Sequence, residues 1–137
     1  MTKVTRISIS VEEHLLETFD TLMAEQGVPT RSEAIKNLMR AAIVEREWAD
    51  GELIAGAVTL VYDHHKPGVI QKLTDVQHEF GDLVLCSQHA HLDHHNCMEI
   101  IIVRGSSESI RKLYSGIVAI KGLKHTALTM ATTGTRM

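Results

Sequence analysis

The sequence predicts an α+β protein that is built from two different parts. The first fifty residues contain one alternating segment and two segments of helical period, and the remaining 87 contain Val- and Ile-rich strands interleaved with two further helices. Histidine separates the parts as well, because eight of the nine histidines follow residue 63. The length and the 44% apolar composition suit one or two small globular domains. We place these domains at residues 1–48 and 53–132.

The first predicted element is a strand over residues 4–11. Apolar and polar side chains alternate along it, so that one face carries Arg6, Ser8 and Ser10. A single strand is not stable alone, and a β-α-α unit of fewer than fifty residues has little core of its own. We therefore expect two copies to pair these strands antiparallel in an intertwined dimer. The polar face would then form a two-stranded ribbon that fits the major groove of DNA.

Two helices are predicted after the strand, and each opens with the spacing of a capping box. The first box spans residues 10–13 and the second spans residues 30–33, and apolar residues recur at helical period behind both. The start of the second helix offers free backbone amides that suit a DNA phosphate. The residues at that start are Thr30, Arg31 and Ser32.

This first part resembles the ribbon-helix-helix DNA-binding domains. The resemblance rests on the Arg6-x-Ser8-x-Ser10 strand, the two capped helices and the Arg-Ser-Glu-Ala-Ile run of residues 31–35. It implies that Arg6, Ser8 and Ser10 read the bases of an operator. The alternative is a dimerisation module whose polar strand face is merely solvated. The net charge of −3 argues against a broad basic surface for nucleic acid but permits a small, focused one.

The second part has the element order β-α-β-β-α-β, which is the ferredoxin-like split βαβ pattern. The predicted strands and helices are Leu53–Tyr62 (strand), Gly68–Phe80 (helix), Leu83–His91 and Cys97–Arg104 (strands), Ser109–Lys121 (helix) and Lys124–Ala131 (strand). Helices on one face of an antiparallel sheet leave the other face for a partner. The pattern resembles the ACT family of small regulatory domains, which associate through their sheets.

Candidate metal ligands lie on the second and third of these strands. His89 and His91 are two residues apart, so both side chains leave the same face. If His91 lies opposite Cys97, then Glu99 lies opposite His89, and opposed Cβ atoms are about 4.5–5.5 Å apart. Two imidazoles and one thiolate would converge on one ion, and Glu99 would orient an imidazole from the second shell. Cys86 has the opposite parity, and we expect it to be a buried structural thiol.

A fourth ligand must come from outside this hairpin. His78, near the end of the preceding helix, is the candidate, and the residues leave open whether it reaches the ion of its own chain or that of a neighbour. The remaining histidines of the second part are expected to be solvated, with weak secondary metal sites at most. They are His64, His65, His94, His95 and His125.

Nearly the whole chain resembles the nickel-responsive transcriptional regulators of the NikR family. The resemblance rests on the fusion of the two parts with the His-x10-His-x-His-x5-Cys spacing of residues 78–97. It implies one Ni(II) per subunit in a square-planar site at a tetramer interface. His89, His91 and Cys97 would come from one subunit and His78 from its neighbour. A square-planar set of nitrogen and sulfur donors suits Ni(II) or Cu(II), whereas Zn(II) prefers tetrahedral sites.

The same resemblance implies partners and further site residues. It implies a homotetramer, in which two ribbon-helix-helix dimers flank four ACT-like domains, that binds a palindromic operator and represses nickel-uptake genes. Glu33 matches a residue of an interdomain cation site, in which Asn37 replaces an acidic partner. Lys66 matches a contact to the DNA backbone, and Pro67 follows it where some members continue with another basic residue.

Other functions are weighed on the same residues. The main alternative is an ACT-type ribbon-helix-helix regulator that senses an amino acid or another transition metal. We do not expect an enzyme, because four protein ligands leave a four-coordinate ion no open position for water. An antitoxin-type repressor would carry a short tail instead of 87 patterned residues. The lack of a secretory signal and of any apolar run near ~20 residues, with only two cysteines, predicts a cytoplasmic protein without a membrane partner.

Overall fold

The computed structural model describes residues 2–137. The chain divides into two compact units, one that ends at Arg40 and one that spans Ala41–Met137. The elements are α1 (Glu13–Glu25), α2 (Arg31–Ala49), β1 (Leu53–Asp63), α3 (Val69–Glu79), β2 (Val84–His91), β3 (Asn96–Ser106), α4 (Ser107–Val118) and β4 (Leu123–Met130). The predicted α+β class and the β-α-β-β-α-β order of the second part are confirmed.

Residues 2–12 are exposed and carry no helix or strand in the single chain. The strand predicted over residues 4–11 requires a second chain as its pairing partner, so the ribbon stays a prediction. The capping box predicted at Ser10 is wrong. Helix α1 begins at Glu13 with Glu12 as its N-cap residue and no side-chain cap, because Ser10 lies two residues ahead of the position from which a hydroxyl reaches the free amides.

The turn between α1 and α2 contains a glycine and leads into the predicted cap of the second helix. Gly27 has a φ of 72°, the left-handed conformation that commonly ends a helix. Thr30 caps the next helix, since its Oγ1 accepts a hydrogen bond of 3.1 Å from the backbone N–H of Glu33. Helix α2 then continues for 19 residues across the boundary between the two units.

The second unit is an antiparallel sheet with strand order β2-β3-β1-β4. Alternate residues of β1 and β3 are buried, so one face of the sheet carries the core together with the apolar residues of α3 and α4. The fully buried members of this core include Ile54, Val58, Leu60, Tyr62, Cys97, Ile101, Val103, Ile110, Leu113 and Ile117.

The opposite face of the sheet is uncovered in the single chain. Ile100 and Ile102 lie on it and remain 36% and 40% exposed. Cys86 pairs with Ile102 on this face and is exposed, so the prediction of a buried thiol is wrong. Its parity was predicted correctly, but β2 is an edge strand and no helix covers this side. Among residues 2–137, no helix combines the length and the apolar character that a membrane crossing requires.

The end of α2 is hydrogen-bonded to Ala131 and Thr132, which follow β4. The indole Nε1 of Trp48 donates a hydrogen bond of 2.9 Å to the carbonyl oxygen of Ala131. The hydroxyl of Thr132 donates to Oε2 of Glu47, also at 2.9 Å. These contacts hold the C-terminal half of α2 in the second unit, beside the edge strand β4.

Candidate metal centre

The register of β2 and β3 decides which side chains can share an ion. His91 pairs with Cys97 and His89 pairs with Glu99, so the predicted register is confirmed. The pairing of β2 with β3 extends from Val84 and Val103 to His91 and Cys97, and β3 lies between β2 and β1 in the sheet. A slip by one residue would move all four side chains to the other face, and the buried alternation of β3 opposes such a slip.

A thiol and two imidazoles meet at the end of this hairpin. The Sγ atom of Cys97 lies 3.1 Å from Nδ1 of His64 and 3.3 Å from Nδ1 of His91. The three donor atoms lie within 4.8 Å of one another. Cys97 is fully buried, His64 is half-buried and His91 is exposed. The cluster therefore presents a protected sulfur with one side open to solvent.

The prediction of a solvated His64 is wrong. β1 is the neighbour of β3, and Tyr62 pairs directly with Cys97. His64 follows Tyr62 by two residues and therefore continues the same face of the sheet beyond the strand end. The signal in the sequence was this parity, but it becomes informative only when the adjacency of β1 and β3 is known.

The other two predicted ligands lie beside this cluster. The ring of His89 has its centroid 5.3 Å from that of His91. His78, which is exposed near the end of α3, and His89 both line a cavity of about 440 Å³ that Glu99 also borders. The structure thus brings His91 and Cys97 into contact and sets His89 and His78 at the adjoining cavity. That the four act as ligands of one ion stays a prediction.

Glu99 is a buried carboxylate that is held from two sides. Its Oε1 accepts a hydrogen bond of 3.1 Å from the hydroxyl of Tyr62, and its Oε2 accepts one of 2.9 Å from Nε2 of Gln77. Nδ1 of His89 lies 4.0 Å from the same Oε1. Burial, reinforced by the Glu99 charge, raises the pKa of Tyr62 above its ordinary value. Tyr62 therefore stays a donor, and neither it nor Gln77 was predicted to have this role.

The electrostatics favour neutral ligand groups before a metal binds. Burial raises the pKa of the Cys97 thiol, and nearby carboxylates, Asp63 first, add to that effect. Burial also lowers the pKa of His64, with further contributions from the neighbouring imidazoles of His65 and His91. A metal must therefore displace the thiol proton but finds a neutral imidazole. Thiolate and imidazole donors fit a borderline divalent ion such as Ni(II).

The residues predicted to contact DNA lie in several environments. Arg6, Ser8 and Ser10 are exposed on residues 2–12. The guanidinium of Arg31 makes two hydrogen bonds to the Asp20 carboxylate, at 2.9 and 2.6 Å. The other three of these residues, all exposed, are Thr30, Ser32 and Lys66.

The predicted interdomain cation site already holds a side-chain cation. Arg40 Nη1 lies 3.4 Å from Oε1 of Glu33 and 3.1 Å from Oδ1 of Asn37. Lys36 Nζ lies 2.7 Å from the other Glu33 oxygen. These contacts, that of Lys36 first, lower the pKa of Glu33. An added cation would compete with Arg40, and the cation site stays a prediction.

Fold and site together define a class: a helical part joined to a ferredoxin-like domain that clusters metal-ligating side chains. Residues 5–46 match the family described as "Ribbon-helix-helix protein, copG family". Residues 55–131 match the family described as "NikR C terminal nickel binding domain". The chain therefore belongs to the NikR family of nickel-responsive regulators, and its second domain is a nickel-binding domain.

Relatives that share almost the full length carry the same designation. A protein of Geobacter sulfurreducens is 47% identical over 135 residues, which cover 98% of this chain and 97% of that protein. One of Dictyoglomus thermophilum is 45% identical over 131 residues, with 95% and 97% covered. Each is provisionally named a nickel-responsive regulator.

A solved structure shares the fold of the second domain. It is an uncharacterized protein of Thermotoga maritima with a TM-score of 0.52 and 13% sequence identity. The similarity covers 57% of this chain and 96% of that one. At this identity the likeness concerns the fold alone.

Proposed function

We propose that this protein is a nickel-dependent repressor of nickel-uptake genes that binds a palindromic operator as a homotetramer. One observation carries the proposal. The β2–β3 register sets His91 opposite Cys97 and His89 opposite Glu99, in a chain whose residues 5–46 match ribbon-helix-helix proteins. The names of the full-length relatives support the nickel response.

The proposed nickel ligands are His89, His91 and Cys97 of one subunit and His78 of a neighbouring subunit. A bound Ni(II) supplies a cross-link between nitrogen and sulfur donors of separate segments. The hairpin holds its three donors on one face of paired strands. The assignment of His78 to another subunit follows the family resemblance, and the exposure of His78 at the end of α3 leaves it accessible to a neighbour.

Helix α3 is suited to transmit occupancy of the site. Val69 and Leu73 are buried in the core and Val76 packs against it, whereas the side chain of His78 is exposed in the last turn. Recruitment of His78 would attach the end of this helix to the neighbouring subunit. A ligand shifts an equilibrium only by its differential affinity for the two states. A coupling of about 1–3 kcal/mol corresponds to roughly a 5–150-fold change in operator affinity.

The DNA contacts are assigned to the first domain, apart from Lys66 of the second domain. Arg6, Ser8 and Ser10 would read base edges from the ribbon of a dimer, and two dimers would meet a palindrome. Phosphates would be met by the residues Thr30, Arg31, Ser32 and Lys66. We keep the domain division at residues 1–48 and 53–132, and we place the protein in the cytoplasm with the DNA on which it acts.

The decisive experiment combines a nickel titration with a DNA-binding assay on the full chain. We expect Ni(II) to produce a thiolate charge-transfer band at one equivalent per subunit and to increase binding to a palindrome selected from random duplexes. Cys97→Ser should abolish the band and the increase. His125→Gln, an exposed histidine on β4, serves as the matched control and should change neither. Nickel-independent DNA binding by the unaltered chain would refute the proposal.

A further inference from the structure

Every lysine and arginine in the helices of the first unit is paired with a carboxylate. Nε and Nη2 of Arg31 donate hydrogen bonds of 2.9 and 2.6 Å to the two carboxylate oxygens of Asp20. Farther along α2, Lys36 and Arg40 both contact the carboxylate of Glu33, at 2.7 and 3.4 Å. The helices therefore present their cations to solvent already neutralised.

The cations that remain lie in the segment that carries the predicted ribbon. Among residues 2–40, only Lys3 and Arg6 have no carboxylate oxygen within 4.0 Å. The same residues contain five lysines and arginines against six aspartates and glutamates, so this unit has no excess of positive charge. Attraction to the phosphate backbone of DNA is therefore concentrated on the segment that is predicted to read the bases.

We propose that Asp20 is a specificity-determining residue that keeps Arg31 from binding DNA phosphates regardless of sequence. The inference rests on the proposed assignment of Arg31 to a phosphate contact. Non-specific affinity comes from the phosphate charges, whereas contacts to the base edges carry the sequence information. A carboxylate that cancels the charge of Arg31 therefore lowers the non-specific affinity and leaves the base contacts of the ribbon unchanged.

The geometry of the pair leaves Arg31 able to contact a phosphate in one fixed position. Asp20 lies on α1 and Arg31 is the first residue of α2, so the pair also joins the two helices. Two parallel hydrogen bonds fix the orientation of a guanidinium. Nη1 is not part of the pair and carries two further N–H donors. A phosphate of the operator can accept from Nη1 while Asp20 holds the side chain in place.

Both members of the pair are charged at neutral pH. The side-chain hydrogen bond between them lowers the pKa of Asp20 and raises the pKa of Arg31. The side chains are 62% exposed at Arg31 and 40% exposed at Asp20, so DNA and salt ions reach them. Exposed ion pairs contribute little to stability. Loss of the pair should therefore change DNA binding without unfolding the first unit.

Asp20→Asn tests the proposal, because the amide has the shape of the carboxylate without its charge. Binding of the full chain, loaded with Ni(II), to a random-sequence duplex is measured over a series of KCl concentrations. Each Arg31 that then meets a phosphate should steepen the fall of log affinity with log salt by about 0.9, and should raise the non-specific affinity on the order of fivefold near 0.15 M salt. The selected palindrome should gain less, because its complex already uses the geometry that Asp20 fixes. The ratio of operator affinity to non-specific affinity should therefore fall.

Matched variants show whether the effect passes through Arg31. Glu17→Gln removes the same charge one turn earlier on α1, from an exposed carboxylate that forms no ion pair within residues 2–137, and should leave the salt dependence unchanged. In an Arg31→Gln background, Asp20→Asn should no longer alter binding to the random duplex. Circular dichroism checks that each variant is folded.

Two results would overturn the role of Asp20. One is an unchanged or lower non-specific affinity in the folded Asp20→Asn variant. The other is a gain in affinity that persists when Arg31 is replaced. DNA binding by the unaltered chain that does not respond to nickel concerns the proposed function instead, so the two proposals fail separately.

Discussion

The two units differ in how much of their structure one chain completes. In the second unit, side chains such as Leu60, Ile101 and Leu113 are fully buried by contacts within the chain. In the first unit, no side chain of α1 is fully buried. Leu15 stays 57% exposed on a groove of about 650 Å³ that Ile9, Phe19 and Ile35 also line.

The difference in burial reflects how much apolar surface each unit covers within one chain. The second unit contains its own sheet and core, and it brings Cys97, His64 and His91 together at one end. The first unit leaves apolar surface that requires a partner, as the oligomerising ribbon-helix-helix family implies. The free energy of unfolding of the second unit should therefore be independent of protein concentration. That of the first unit should increase when chains associate.

The largest expected effect is in the second unit. Leu113→Ala removes a fully buried side chain from α4 and should lower the free energy of unfolding by about 2–5 kcal/mol. The loss should be the same across protein concentrations when chemical denaturation is followed by circular dichroism. Val118→Ala, at an exposed position of the same helix, is the control. If raising the protein concentration restored the free energy of unfolding of Leu113→Ala, the second unit would also depend on association, and the proposed difference between the units would be wrong.

A smaller effect that depends on concentration is expected in the first unit. Leu15→Ala should weaken association by about 1.5–3 kcal/mol if a second chain buries this side chain. Sedimentation of the variant should show dissociation at concentrations at which the original chain is assembled, and DNA binding should fall with it. Nickel binding by the second unit should persist. Unchanged association would show that the groove is not the contact surface.

His78→Ala tests the link between the units. The hairpin donors remain, so partial nickel binding should persist. Nickel should no longer increase the DNA affinity. In the unaltered chain we expect that increase to be roughly 5–150-fold. Gel-shift titrations with and without Ni(II) measure it, with His125→Gln as the control. A full nickel response in His78→Ala would reject the coupling through α3.

The smallest effect concerns the turn that carries His95. Hydrogen bonds from the Asn96 side chain and from the backbone amides of Asn96 and His95 lower the pKa of Asp93 from 3.8 to about 2. The ionised carboxylate therefore stabilises the turn fully above about pH 4, and this contribution is lost as the pH falls through about 2. Hydrogen exchange at the His95 amide should accelerate across that window beyond its intrinsic pH dependence. Asp93→Asn should remove this excess change.

Much of the metal centre could be predicted because strand geometry is simple. Side chains alternate across a strand, so the pairing of His91 with Cys97 carries that of His89 with Glu99. Thr30 was predictable as a cap because capping depends on residues only three positions apart. Ser10 was not predictable in this role, because α1 begins at Glu13, with Glu12 instead of Ser10 at the N-cap position. His64 was not, because its place depends on a neighbouring strand distant in sequence.

The amino-acid sequence by itself determined the order of the elements, the parity of the ligand face and the separation of a helical part from a histidine-rich one. These properties depend on interactions over a few residues and on the periods of helix and strand. Only the tertiary structure decided that β1 lies beside β3, which brings His64 to Cys97 and Tyr62 to Glu99, and that Cys86 faces outward. Such contacts depend on which strands become neighbours, and that choice reflects the packing of the whole core.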